Sequence, residues 1–293
     1  MCNGLSIYIS TMKLIRISFF LLLLHPAFSG AQKLSADSLQ ILFKCIQRGE
    51  NDSVRKHAND IFYSSLYDTL KKEGSFSADF SAWKNLSVAS DADKTIRLYT
   101  WTMPYFDGSR YDYFGFVQVK TEKPDSLLLI PLSDSTLTIK KPESEKLRSD
   151  KWLGAIYYSV SSFRKSGVRY YTLLGWKGWN QSVTKKVIEI MTFEKGILKF
   201  GFPVIKTGSV FRNRVVFSFT SQATMTLRFD KNGKQIVFDH INNFSKDNSI
   251  IGGPDGSYDL LKLKGGKWLM ERDIDARSEE APSDDPPKIN EKK

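Results

Sequence analysis

The stretch ATMTLRFDKNGKQIVFDH, Ala223 to His240, decides the fold class. Met225, Leu227 and Phe229 alternate with Thr224, Thr226, Arg228 and Asp230, the period-2 pattern of a half-buried strand. Asn232-Gly233 supplies the residues of a two-residue type I′ turn. Counting outward from that turn pairs Phe229 with Ile236, Leu227 with Phe238 and Met225 with His240, so one face of the hairpin is apolar.

The same period extends on both sides. Leu86 to Ala89 and Thr95 to Met103 form a hairpin across Asp91–Lys94, and Phe106-Asp107-Gly108-Ser109 turns the chain into an aromatic strand, Tyr111 to Lys120. Leu127 to Pro131 is a short apolar strand, and Ser133 to Asp150 is a polar connector, long for a compact domain. Trp152 to Phe163 pairs with Val168 to Trp176, and Val215, Phe217 and Phe219 alternate cleanly. Tyr258 to Lys264 and Lys267 to Ile274 close on Gly265-Gly266, placing Leu263 opposite Trp268 and Leu261 opposite Met270. Val183, Val187, Ile190 and Met191 also fit a helix, but the β-branched run and the Lys195-Gly196 turn favour a strand leading into Ile197 to Val204.

Upstream of Lys84 the period is helical. Leu39, Leu42, Phe43 and Ile46 make one apolar stripe, with Ser35 or Asp37 as N-cap and Gly49 as stop; Val54, Ala58, Ile61, Phe62 and Leu66 make another, ended by Gly74. The short break between them predicts an antiparallel helical hairpin. The fold class read here is α+β and mainly β: an N-terminal helical hairpin followed by an antiparallel meander of roughly a dozen strands, arranged as a rolled sheet, barrel or sandwich. A complete propeller is disfavoured, since it needs at least ~16 strands and no period of ~40–50 residues is visible.

The N-terminus has the anatomy of a secretory signal peptide: basic Lys13 and Arg16, apolar Ile17 to Leu24, then Ser29-Gly30-Ala31. The apolar run is about half the ~20 residues a spanning helix needs. Met12 opens a more ordinary signal peptide than Met1 does. The expected organisation is a signal peptide over residues 1–31, a helical hairpin over 32–83, a β-domain over 84–277 and a proline-containing, charged, disordered tail over 278–293. Removing the first 31 of 293 residues leaves 262, ample for one core without disulfides, and takes the formal charge from +11 to +9. Cys45, set among Leu42, Phe43 and Ile46, reads as an inert buried thiol. The lysines and arginines are scattered and match no nucleic-acid motif.

No catalytic signature is present: no Gly-x-Ser-x-Gly elbow, no His-Glu-x-x-His and no phosphate-cradling loop. His57 reads as a hydrogen-bonded histidine at a stripe's edge, with no second histidine in reach to share a metal. Asp91 with Asp93 and Asp273 with Asp275 lack the other ligands of a calcium loop and read as solvated acids; Gly252 to Gly256 reads as a chain reversal. No cofactor or metal is expected. A hydrolase acting on envelope glycan or peptide would draw on Asp107, Asp112, Glu189, Asp239 and His240; Asp239 and His240, as strand neighbours, point to opposite faces. The unusual feature is the aromatic supply. Trp101, Tyr113, Trp176 and Trp179, with Asn180, could line a groove for a sugar or peptide, or fill the core as aromatics in β-proteins commonly do.

The stretch Tyr99-Thr100-Trp101-Thr102-Met103-Pro104, Asp107-Gly108 and Tyr113-Phe114-Gly115-Phe116-Val117-Gln118 resembles a recurring segment of exported β-rich proteins of unknown function from Bacteroidetes-type bacteria. Tyr170 to Trp176 and Val237 to His240 share that resemblance, which runs from about Leu86 to Ile274. It implies export and a common β-fold and carries over no catalytic residue. Asp37-Ser38-Leu39, Asp68-Thr69-Leu70 and Asp125-Ser126-Leu127 resemble the short O-glycosylation acceptor motif of such bacteria. The expected partner is a glycan, a peptide or an envelope protein, bound by an exported, periplasmic or extracellular module.

Overall fold

The computed structural model describes residues 36–81, 83–121, 126–242 and 252–274. The expected signal peptide and cleavage site, the tail, Ser35, Asp125 and Asp275 lie outside the described residues. Two helices open the described chain, α1 (Ala36–Arg48) and α2 (Asp52–Leu70). Asn51 caps α2, its Oδ1 accepting from Val54 N at 3.0 Å, so the Gly49 to Asn51 break makes the expected hairpin. Leu39, Leu42, Phe43, Cys45 and Ile46 of α1 and Ala58, Phe62, Leu66 and Leu70 of α2 are buried together. His57 is exposed, not part-buried as its place beside the stripe suggests, because the stripe's edge there is taken by Arg55 and Asn59. Among the described residues no helix is long and apolar enough to cross a membrane.

Among the described residues sixteen strands follow, in three sheets. Sheet I is the meander β1 (Ser87–Ser90), β2 (Ile96–Pro104), β3 (Tyr111–Lys120) and β4 (Leu127–Ser133). Sheet II runs β5-β9-β8-β7-β6, where β5 is Leu147–Arg148, β6 Ile156–Lys165, β7 Val168–Gly178, β8 Val183–Glu194 and β9 Ile197–Phe200. β12 (Arg214–Thr220) pairs with the first half of β8. Sheet III runs β11-β10-β16-β15-β14-β13, from β10 (Ile205–Thr207), β11 (Val210–Arg212), β13 (Leu227–Phe229), β14 (Gln235–Asn242), β15 (Gly253–Lys264) and β16 (Lys267–Ile274). Among the described residues every strand pairing is antiparallel except β10 with β16. The three short strands β5, β10 and β11 are too brief to show a period, which accounts for the excess over a dozen.

Period-2 alternation turns these sheets into a stack of four layers. Tyr99, Trp101, Met103 and Phe116 of sheet I pack on the helices; Ile96, Leu98, Val117 and Val119, on its other face, pack on Leu173, Val187 and Met191 of sheet II. Leu174, Ile188 and Ile190 then pack on Ile236, Phe238, Leu261 and Trp268 of sheet III. The architecture is therefore of the sandwich kind, with open sheet edges rather than a closed barrel.

A recurrence sits within the stack. β1–β4, β6–β9 and β13–β16 are each a four-stranded meander. Their first strands begin at Ser87, Ile156 and Leu227, spacings of 69 and 71 residues, and their last at Leu127, Ile197 and Lys267, spacings of 70 and 70. The first strands also lie nearest one another: Ser87 Oγ donates to Tyr157 O of β6 at 2.7 Å, and Tyr158 Oη and Ser161 Oγ of β6 donate to Leu227 O and Gly233 O at 2.8 Å.

The hairpin that opens the sequence argument keeps its register, with Phe229 opposite Ile236 and Leu227 opposite Phe238. Its turn differs. Only Gly233 has positive φ (65°), Gly233 N bonds Asp230 O, and Asp230 Oδ1 accepts from Lys234 N and Gln235 N at 2.9 and 3.0 Å. The aspartate side chain thus supports a wider turn with glycine in fourth place, where a type I′ turn would need positive φ at Asn232 as well. Met225 does not pair with His240, because the Asp239 carboxylate takes Thr226 N at 2.7 Å and ends β13 early. The turns at Ser166-Gly167, Lys195-Gly196 and Gly265-Gly266 do carry two successive positive φ values. Asp91 is buried rather than solvated: it accepts from Thr95 N and Ile96 N at 2.7 and 2.9 Å and meets Arg169 of β7.

Gly233 is constrained twice, by its φ and because an added Cβ would lie 2.7 Å from Ser161 Oγ. Gly233→Val is expected to destabilise the fold by more than ~1 kcal/mol; an unchanged chemical-denaturation midpoint would contradict this account of the turn.

Candidate functional site

Sheet I and sheet II part at one end, and there the molecule has a cleft of about 750 Å³. The cause is local. β4 follows β3 only as far as Ser133 opposite Phe114; the chain then leaves the ladder at Asp134, which bridges to Trp152. β7 stops at Gly178 and turns through Trp179. Among the described residues no strand therefore runs beside Tyr111 and Asp112 on the β4 side. Tyr63 of α2, Tyr111, Tyr113 and Trp179 supply aromatic wall, and Arg110, Asp112 and Asp134 supply charge.

Arg110 and Asp112 are held by one tyrosine. The Arg110 guanidinium stacks 3.9 Å from the Tyr105 ring centroid and its Nη2 donates to Tyr105 Oη, which donates in turn to Asp112 Oδ2 at 3.1 Å. Arg110 Nε lies 3.8 Å from Asp112 Oδ1, beyond hydrogen-bond range, and is buried without a hydrogen-bond partner. Burial holds the Asp112 carboxyl above the usual range; the Tyr105 hydrogen bond and Arg110 oppose the rise, while Asp134 and Asp52 add to it.

Asp134 is used structurally. It accepts from Thr136 N and Thr136 Oγ1 at 2.9 and 2.5 Å and from Tyr113 N at 3.1 Å. Beneath it lies Lys177, whose ammonium donates to Thr136 Oγ1, Leu153 O and Gly154 O at 2.8, 2.7 and 2.8 Å and sits 4.2 Å from the Tyr113 ring centroid. Only 2% of Lys177 is exposed, so it braces the cleft floor rather than facing a ligand. Burial pulls its pKa down to about 7, against the attraction of Asp134.

Of the residues singled out by sequence, Asp112, Tyr113 and Trp179 meet in this cleft. Tyr113 turns its hydroxyl inward to Gly178 O at 2.6 Å. Trp179 is 37% exposed, with Lys185 Nζ 3.4 Å from its ring centroid. The remainder go elsewhere. Trp101 is fully buried between sheet I and α2 and donates to Asn59 Oδ1 at 2.8 Å, so it is core and no groove residue. Trp176 stays on β7, half-buried, edge-on to Tyr111 at 5.7 Å, and shares no platform with Trp179. The Asn180 Oδ1 accepts from Ser182 N and Val183 N at 2.9 Å, closing the turn before β8.

The proposed acids disperse in the same way. Asp107 caps an exposed turn, where hydrogen bonds from Ser109 lower its pKa. Glu189 is wholly buried against its cross-strand neighbour Arg214, Oε2 to Nε 2.7 Å, and Arg214 also reaches Pro142 O and Glu145 O. Burial raises the Glu189 pKa and Arg214 opposes the rise. Asp239 ties down Thr226. His240 Nδ1 meets Asp259 Oδ2 at 2.9 Å across a bulge, far along the chain from the Asp239 partner considered above. Among the described residues no three His, Cys, Asp or Glu gather as a metal site.

Arg110, Asp134 and Lys177 shape the cleft although no motif marks them in the sequence. Lys177 had a signal: it stands two and four residues after Gly175 and Leu173 on the strand face that packs inward. Its titration has a defined sign. The unfolded chain binds a proton that the folded chain sheds between about pH 7 and the ordinary lysine value, so stability rises with pH across that window. Wild-type melting temperature should climb from pH 7 towards pH 9.5 relative to Lys177→Met; parallel profiles would remove Lys177 as the source. Compared with family models, curated proteins and solved structures, the chain matches none.

Proposed function

We propose that the protein is an exported, non-catalytic binding module of the bacterial envelope whose ligand enters the cleft between sheets I and II. One observation carries this: the cleft is lined by aromatic side chains together with a small set of polar and charged ones, and its size falls in the ~300–1,000 Å³ range of ligand sites. The acids and histidine a hydrolase would draw on are spread over three sheets. Only Asp112 faces the cleft, and its one carboxylate neighbour there, Asp134, already accepts three hydrogen bonds. Export rests on the Lys13 to Ala31 segment.

Two measurements test this reading. Mass spectrometry of protein from its native host should find Gln32 or a neighbour at the N-terminus; recovery of an intact Lys13 to Leu24 segment in the mature protein would refute export. Trp179→Ala should leave stability within ~1 kcal/mol of wild type, since the ring stands at the cleft mouth, while reducing retention on insoluble envelope material at least tenfold. Undiminished retention would place the binding surface elsewhere.

A further inference from the structure

Strand register gathers lysines on the outer face of sheet III. Ile205, Leu261 and Trp268 face inward, towards sheet II, so their strand neighbours face out. Phe211, Lys206, Leu269 and Lys262 form one outward row across β11, β10, β16 and β15. Lys264 and Lys267 stand opposite each other in the next. The nearby carboxylate of Glu271 is taken by Lys262 and Lys264, while Lys206 and Lys267 form no ion pair among the described residues.

This face ends at a free edge with an apolar tip. The β10–β11 hairpin turns through Gly208, at φ 62°, and β11 is the last strand of the sheet. Val210 and Phe211 follow that turn and, as strand neighbours, point to opposite faces; both are nevertheless exposed, by 52% and 40%. The Lys206 and Lys267 ammoniums both stand over the Phe211 ring, 5.9 and 5.1 Å from its centroid. Two like charges share one ring, and an anion between them would relieve their repulsion.

The tip and the charges together select the partner. A flat protein surface could cover Phe211 or Val210, but only a medium that surrounds the hairpin covers both. A soluble polyanion would meet the lysines and leave Val210 in water. A lipid interface offers an apolar layer beneath anionic headgroups. Lys206 and Lys267 lie one and two strand spacings of about 4.8 Å behind β11, which sets them at the depth of those headgroups when the tip is buried. We infer that the β10–β11 hairpin docks the protein on an anionic membrane surface, with Val210 and Phe211 entering the interface and Lys206 and Lys267 holding lipid phosphates. None of these four residues lines the cleft, so the surface stands apart from the ligand reading above.

The test is co-sedimentation of the protein, as recovered from its native host, with vesicles of phosphatidylglycerol and phosphatidylcholine in equal parts and with vesicles of phosphatidylcholine alone, beside capture on heparin beads. The mixed vesicles should bind best, and high salt should release most of the protein. Val210→Ser with Phe211→Ser, and Lys206→Gln with Lys267→Gln, each with a melting curve matching wild type, should weaken that binding roughly tenfold or more; Phe211→Trp should retain it. Equal binding to phosphatidylcholine alone would overturn the anionic partner. Binding lost with the two lysines but indifferent to the two serines, together with capture on heparin, would overturn the membrane in favour of a soluble polyanion. No vesicle binding, or vesicle binding that neither double variant changes, would overturn the surface itself.

Discussion

Sheet II is covered on both faces, and the rest of the structure follows from that constraint. An antiparallel sheet commonly keeps one face in water. Here sheet I lies on one side of β7 and β8 and sheet III on the other, so Tyr171 to Gly175 and Val187 to Thr192 are buried without interruption. The buried polar side chains of those strands must then find partners in protein, and Thr192 Oγ1 is the exception left without one. Thr172 accepts from Trp268 Nε1 at 2.9 Å, Glu189 meets Arg214, and the Lys177 ammonium finds its three oxygens. The adjoining layers use the same device, with Thr100 Oγ1 accepting from Tyr157 N at 3.0 Å and Asn59 accepting from Trp101. Each junction of the stack is apolar area pinned by a buried polar bond, which fixes how the layers sit.

The cleft is the place where that stacking gives out. Asp134 and Thr136 form the turn that carries the chain from sheet I to sheet II, and Lys177 holds the same turn from below. Structural bonds thus shape the floor, while in the wall Arg110 Nε stays buried without a partner, 3.8 Å from Asp112 Oδ1. The Glu189 and Arg214 pair, chemically the more conspicuous, is sealed in the core: one guanidinium joins β12, β8 and the connector carbonyls of Pro142 and Glu145, with its Nη2 left buried and unpartnered.

Much of this was legible in the residues, and what was hidden had a physical reason. The hairpins over β13–β14 and β15–β16 announce their register because their polar positions face water, and Leu263 opposite Trp268 falls where counting from Gly265-Gly266 puts it. β8 was ambiguous because burial on both faces erases the period on which such readings depend. The recurrence of about 70 residues lies chiefly in the order of strands; of the first turns of the three units, those at Asp91 and Asp230 are the same aspartate-supported turn with its fourth residue at positive φ, while the second is the tighter Ser166-Gly167 turn. Asp112, Tyr113 and Trp179 could be named for their chemistry, but only the departure of β4 at Ser133 brings them into one cleft. Trp101 has the same chemistry and none of the exposure, because α2 covers its face of sheet I.

Hydrogen exchange tests the central claim, that a doubly covered sheet II is the core of the stack. The amides of β7 and β8 should be the slowest in the molecule, exchanging only through global unfolding, with the helical hairpin and the β10–β11 edge opening first. If β7 and β8 exchanged through a smaller opening while the helices or sheet III stayed protected, the four-layer account would be wrong.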